Sequence, residues 1–440
     1  MIETLQNIAE KIVSLTQGQE VMLVNFSAEK SDFVRLNHNQ IRQAGQVRQI
    51  YASIELIDSG RHLSGQITLS GQAEQDLARA KACLRNLREH LGQMPEDPYL
   101  LYNQDVQSGS QIGQDELPAA SEMLEQIQSR CEGSDMVGLL AAGGIYAGFA
   151  NSLGQRNWFS THTFHFDWCF YHQADKAVKC SYGGFQWDPQ ALAGKVETGL
   201  AQLEVLRRPA RKIDRGQYRV YLTPAALEEF VGMLGWGGFG LKAHQTKTTS
   251  LLKMAEDGVT LDPRVSLVEN TAGGLAPNFQ SAGYVKPDSV TLIDSGRLGD
   301  LLISPRSARQ YDAKTNGAGP GESPSSLEMA AGQLADDKIL HDLGTGLYIN
   351  TLHYANYSDR PACRITGMTR FATFWVESGE IVAPVEVMRF DETVYNVLGE
   401  GLVDLTRSRQ FMPAAGTYGQ RSTDSTHLPG ALVDGFTFTL

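Results

Sequence analysis

Apolar residues recur at helical spacing in a few segments of the chain and alternate, or run together, through most of the remainder. Leu5, Ile8, Ala9, Ile12 and Val13 form one helical stripe, and Leu77, Ala80, Leu84, Leu87 and Leu91 form another. Between them Glu20–Phe26, Asp32–Asn37, Val47–Ile57 and His62–Leu69 read as strands, and Asp58-Ser59-Gly60 supplies a hairpin signal. Helices on one face of a sheet are expected from this order. A helix over Ala119–Ser129 follows, then strands up to Leu153 and over Trp158–Phe170. Asp188 and Pro189 open a further helix, with Leu192, Val196, Leu200 and Leu203 on one side.

After residue 216 the pattern is mostly that of strands, at Tyr218–Leu222, Val290–Ile293, Gly346–Leu352, Phe371–Val376 and Ile381–Phe390. A single well-signalled helix interrupts it, with Thr223 as N-cap, Pro224 in the first turn, and Leu227, Phe230, Val231 and Leu234 as its stripe. The Pro-, Gly- and polar-rich stretch Gln93–Pro118 reads as a linker, and Arg207–Gly216 as a second boundary. The predicted organisation is α+β: an N-terminal α/β sandwich-like module over 1–110, a middle α+β segment over 111–215 and a mostly β C-terminal domain over 216–440. Thr315–Ser326, TNGAGPGESPSS, is expected to be a mobile loop.

Composition narrows the function classes. The 440 residues suffice for two or three cores, and a net charge of -12 speaks against a nucleic-acid binder. No apolar run approaches the length of a membrane span, and the amphipathic, acidic start MIETLQNIAEKIV has no signal-peptide core, so a cytoplasmic protein is expected. Five cysteines, Cys83, Cys131, Cys169, Cys180 and Cys363, form no CxxC pair and fit reduced thiols.

The richest group of potential ligands is His162, His165, Asp167, Cys169 and His172. On a strand, period 2 puts His165, Asp167 and Cys169 on one face and His162, Phe164, Phe166, Trp168, Phe170 and His172 on the other. Same-face neighbours stand about 7 Å apart, too far to converge on one ion, so an aromatic-faced strand is the expected reading. His244 lacks a nearby Glu or second His and is expected to be exposed or cleft-lining. The GxG pieces at Gly317/Gly319 and Gly344/Gly346 lack a strand-turn-helix setting, and there is no GxSxG elbow.

The segment Val231–Leu241, VGMLGWGGFGL, closes the C-terminal domain's helix on glycine. With FVRLNHNQIRQAG (33–45), GRHLSG (60–65), NSLG (151–154), GLYINTLHY (346–354) and FWVESGEIVAPVEVMRF (374–390), its order and spacing resemble the TldD/PmbA family, peptidase-like proteins also called modulators of DNA gyrase. The gyrase label does not imply DNA contact for so acidic a chain. Where the family's catalytic member carries HExxxH, the resemblance puts Leu234 at the first His, Gly235 at the Glu and Phe239 at the second His. Ala415, in AGTYGQ (415–420), stands at the third ligand, a Cys.

None of these residues can bind zinc or act as a base. The resemblance is therefore to the non-catalytic TldE/PmbA-type subunit, with no catalytic residue or metal of its own and zinc expected only in a TldD-like partner. It implies a metal-free half of a peptidase complex acting in proteolysis or peptide processing. Trp236, Phe239, His244 and Tyr418 are the candidate lining of a peptide cleft, core packing being the alternative for the first two. The other functional reading is a homodimer that binds a peptide or small molecule, or serves as a scaffold, and hydrolyses nothing.

Overall fold

The computed structural model describes residues 1–173 and 176–439 of the chain. Helix α1 (Ile2–Val13) leads into three strands, β1 (Val21–Asn37), β2 (Gln40–Asp58) and β3 (Arg61–Thr68), followed by α2 (Ala73–Leu91). Next come β4 (Gly109–Ile112), α3 (Ala120–Arg130), β5 (Met136–Asn151), β6 (Arg156–Gln173), β7 (Lys176–Gly184) and α4 (Pro189–Leu206). Strand β8 (Gly216–Leu222) and helix α5 (Pro224–Leu234) open the C-terminal half. The fold is α+β.

The strands up to β7 make one seven-stranded sheet ordered β3-β2-β1-β5-β6, with β4 and β7 both on β6. Strands from both sides of residue 110 thus share a sheet: β1 pairs with β5 from Leu23 to Leu36. Asp58 faces Arg61 across a two-residue turn in which Ser59 and Gly60 have φ of 48° and 73°. Two positive values in succession match the twist of a tight hairpin, as the sequence signal required.

Period 2 assigns the two faces of this sheet different work. Even-numbered residues, among them Met22, Val24, Phe26, Ala52, Ile54, Leu140, Phe164, Phe166, Trp168 and Phe170, are buried in clusters with the stripes of α1 to α4. Odd-numbered residues turn the other way. Leu23, Ile57, Phe149 and Phe159 pack with Phe279 of the C-terminal half, and Glu29, Ser31, Thr163 and His165 are buried.

The C-terminal half is built on a thirteen-stranded sheet. Its hub is the strand Ser425–Phe438, which pairs antiparallel with β8 and with Leu402–Pro413, and parallel with Ser326–Met329. Strand β8 also pairs in parallel with Gly346–Ile349. Helix α5 lays Ala226, Leu227, Phe230, Val231 and Leu234 onto the core beneath, beside Phe390 and Phe436.

Several expected boundaries shift. The two short strands read at Glu20–Phe26 and Asp32–Asn37 are one, because Ala28, Glu29 and Ser31 between them are buried against other parts of the molecule. Ile381–Phe390 divides into Glu380–Pro384 and Arg389–Thr393. The supposed linker lies against the sheet's odd face, where Leu100 and Tyr102 join the Phe149 cluster and the Asn103 backbone N–H donates to the Ala282 carbonyl at 2.8 Å. The stretch 315–326 is pinned: Glu322 is buried and accepts from the Ser304 backbone and hydroxyl, both at 2.9 Å, and from the Lys242 N–H at 2.9 Å. A buried carboxylate with three donors fixes a loop that composition alone would leave free. Among the described residues, no helix is long and apolar enough to cross a membrane.

Candidate functional site

A cavity of about 500 Å³ opens around the edge strand β7, lined by His165 and Asp167 from the odd face of the first sheet and by residues of α4, α5 and the stretch 410–415. His165 and Asp167 of β6 reach it because Phe164, Phe166, Trp168 and Phe170, alternating with them, are drawn to the helix side. Lys179 comes from β7, Lys195 from α4, and Ala225, Glu228 and Glu229 from α5.

Helix α5 presents these carboxylates for a local reason. Thr223 caps it, accepting from the Ala226 N–H at 3.3 Å while its hydroxyl donates to the Asn350 carbonyl at 2.6 Å, and Pro224 fills the first turn. With the 227/230/231/234 stripe committed to the core, positions 225, 228 and 229 turn to the cavity. Gly232, one turn beyond Glu228, is exposed with nothing within 4 Å of an added Cβ.

Burial governs the site's protonation. It raises the Glu228 carboxyl, partly offset by the Thr426 hydroxyl that donates at 2.8 Å, and it raises Glu229 and Asp167, with the nearby Lys179 charge opposing it in all three. Burial lowers the Lys195 ammonium. His165 is 4 % exposed. Burial, helped by the Arg421 charge, pushes it down to about 4, so it is neutral at physiological pH.

Arg421 joins the two halves beside this cavity. Its guanidinium donates to Ser31 Oγ at 3.3 Å, the Gly143 carbonyl at 3.2 Å and the Thr163 carbonyl at 2.8 Å, and its backbone N–H donates to Glu29 Oε2 at 2.9 Å. All of these acceptors lie on odd-numbered residues of β1, β5 and β6.

The residues read from the family motif do not gather here. Leu234 and Phe239 are fully buried in the C-terminal core, Gly235 is the helix C-cap, and of the four degenerate positions only Ala415 borders the cavity. The candidate cleft also disperses, and none of its members borders the cavity. Phe239 is core, Trp236 is 59 % exposed and Tyr418 fully exposed. His244 is half-buried and does not border this cavity: its Nε2 contacts the Gly238 carbonyl at 2.7 Å, and the Thr249 hydroxyl donates to the same carbonyl at 3.0 Å.

The physical reason is the helix exit. Gly237, at φ 83°, turns the chain sharply so that the Gly238 N–H reaches back to the Leu234 carbonyl at 2.8 Å, which carries Phe239 under the helix into the core. Sequence reasoning missed Glu228, Glu229, Lys179 and Lys195. The available signal was an adjacent Glu pair facing away from a complete apolar stripe.

Zinc needs at least three donors converging to about 2 Å of one point. Among the described residues, no group of three or more His, Cys, Asp or Glu is so arranged. His165 Nε2 and Asp167 Oδ2 are 4.0 Å apart, and the opposite wall offers the Ala415 methyl. The residues present do not fit a zinc ion. What they offer is three half-buried carboxylates, Asp167, Glu228 and Glu229, with Lys179 and Lys195 also on the cavity wall.

A family model described as the PmbA/TldA metallopeptidase C-terminal domain matches residues 215–440. A comparison with curated proteins finds no match. Among solved structures, TldE from Thermococcus kodakarensis has a TM-score of 0.76 at 13% identity, covering 100% of this chain and 99% of that one. A protein described as a modulator of DNA gyrase from Thermotoga maritima has a TM-score of 0.75 at 13% identity, covering 99% of this chain and 100% of that one. Another so described, from Bacteroides thetaiotaomicron, has a TM-score of 0.72 at 15% identity, covering 99% and 98%. At these identities the likeness is one of fold, over essentially the full length.

Proposed function

The chain belongs to the TldD/PmbA family, and from that premise we propose that it is a metal-free, TldE-like subunit working with a TldD-like metallopeptidase in proteolysis or peptide processing. The observation that carries this reading is the chemistry of the cavity wall. Inside the family's architecture, the side chains facing the cavity are carboxylates, lysines and a neutral imidazole that do not converge on a metal, and Ala415 brings a methyl group where the resemblance places a thiolate. A zinc hydrolase needs ligands, an open water position and a base within reach of that water. In this reading the partner supplies them, and this chain supplies one wall of the enclosed space and strand edges against which an extended peptide can lie. Five unpaired cysteines support a cytoplasmic setting for the complex.

The test is reconstitution. The purified chain, a TldD-like homologue with intact HExxxH, and their mixture are assayed on peptide substrates and sedimented. Cleavage stimulated in the mixture and abolished by chelation, with a mixed complex in sedimentation, is expected. A chain that remains by itself and leaves the homologue's activity unchanged overturns the proposal.

A further inference from the structure

The cavity between the two halves holds more polar chemistry than the fold consumes. Asp167, Glu228 and Glu229 all border it, and Lys179 is the cation that acts on all three. Two residues that also line the cavity, each more than nine-tenths buried, carry a polar atom with no hydrogen-bond partner. His165, 4 % exposed, leaves Nε2 unpaired, and Thr351, 6 % exposed, leaves Oγ1 unpaired. Buried polar atoms in proteins are almost always satisfied, so unpaired ones on a cavity wall mark where a ligand's polar atoms go.

The cavity's volume, about 500 Å³, lies within the range of small-molecule sites and far exceeds that of a metal ion. Ionised carboxylates only accept hydrogen bonds, so the complementary group is one that only donates. An anion is disfavoured beside the carboxylates: Lys179 already faces all three, Arg421 is committed to Ser31, Gly143 and Thr163, and Lys195 has the Cys180 thiol, not these carboxylates, as its neighbour.

We infer that this cavity recognises an organic cation, a molecule or side chain bearing an ammonium or guanidinium group, held by Glu228, Glu229 and Asp167 with His165 and Thr351 meeting its remaining polar atoms. The burial that raises the three carboxyls is offset when a second cation enters among them. This inference does not rest on the peptidase reading, because it concerns binding by the chain alone.

Calorimetric titration of the full chain tests it, with cadaverine and Nα-acetyl-lysinamide as probes and pentanediol and Nα-acetyl-norleucinamide as their uncharged counterparts. Saturable binding of at least one charged probe, and weaker or undetectable binding of its counterpart, is expected. Cadaverine alone points to a free amine as the ligand, acetyl-lysinamide alone to a basic side chain, and either result supports the site. The double variant Glu228→Gln/Glu229→Gln should weaken binding at least about tenfold. Should that variant misfold, Gly194→Phe serves: Gly194 borders the cavity on α4, an added Cβ there meets nothing within 4 Å, and the ring should obstruct entry. No saturable binding up to about 10 mM, equal binding of the uncharged counterparts, or binding that survives a folded double variant or Gly194→Phe undiminished would overturn it.

Discussion

Arg421 and His165 show how single residues set the terms at the seam between the halves. Burial lowers the Arg421 guanidinium to about 10, still charged at neutral pH; its two terminal nitrogens are held by Ser31, Gly143 and Thr163, while Nε has no hydrogen-bond partner. Arg421→Met would remove those donors and leave carbonyl and hydroxyl acceptors dry, so a loss of about 3 kcal/mol is expected in urea unfolding. His165 adds a pH dependence whose sign is fixed. Its pKa falls from 6.5 to about 4 on folding, so between those values the unfolded chain binds a proton that the folded chain does not. Its contribution is therefore present above the unfolded value and lost as pH falls towards the folded one, by up to about 3 kcal/mol. The raised carboxyls of Asp167, Glu228 and Glu229 act in the opposite sense, contributing below their unfolded values and losing that contribution as pH rises through their folded ones. Unfolding His165→Gln beside the parent at about pH 7.5 and about pH 4.5 isolates the histidine. A parent that loses no more stability on acidification than the variant refutes the assignment.

At the scale of the element, α5 joins the core to the cavity. Its cap, Thr223, both starts the helix and ties it to Asn350. Thr223→Ala should cost about 1–2 kcal/mol in unfolding free energy, whereas Thr223→Ser, which keeps the oxygen, should cost much less. The helix exit depends on Gly237, whose φ is 83° and where an added Cβ would come within 2.9 Å of an Arg360 guanidinium nitrogen. Gly237→Ala is expected to destabilise by about 1–2 kcal/mol, visible as a lowered thermal midpoint. An unchanged midpoint would mean that the turn relaxes without strain.

For the whole molecule, the placement of α5 decides what re-engineering can achieve. Leu234 and Phe239 are fully buried in the C-terminal core, whereas Ala415 borders the cavity. The fourfold variant Leu234→His, Gly235→Glu, Phe239→His and Ala415→Cys would therefore put two imidazoles into apolar packing and leave the thiol apart from them. Each core substitution should cost about 3 kcal/mol or more, and no tight zinc site should form. Elemental analysis of the folded variant after dialysis checks this. One equivalent of zinc with chelation-sensitive peptide cleavage would show that the helix exit can rearrange to build a site.

What the sequence determined by itself was local. Alternation along Phe164–Phe170 assigned the aromatic residues to one face and His165 and Asp167 to the other, because strand geometry allows no other division of neighbours. Thr223-Pro224 and Asp58-Ser59-Gly60 announced a helix start and a hairpin through backbone preferences that act over a few residues. The family, too, was legible, in the order of short segments from Phe33 to Phe390. Tertiary structure decided what lies opposite what. Only the pairing of β1 with β5 joins the strands on either side of residue 110, and only the docking of the C-terminal half on the odd face of that sheet brings Glu228 and Glu229 to Asp167 and Lys179. Of the motif positions, Leu234 is core because burial is set by which face of α5 meets the second sheet, and Phe239 because the turn at Gly237 carries it beneath the helix, both being contacts with residues far apart in the chain. Spacing along a sequence carries the geometry of one element, but a site between elements exists only once they pack.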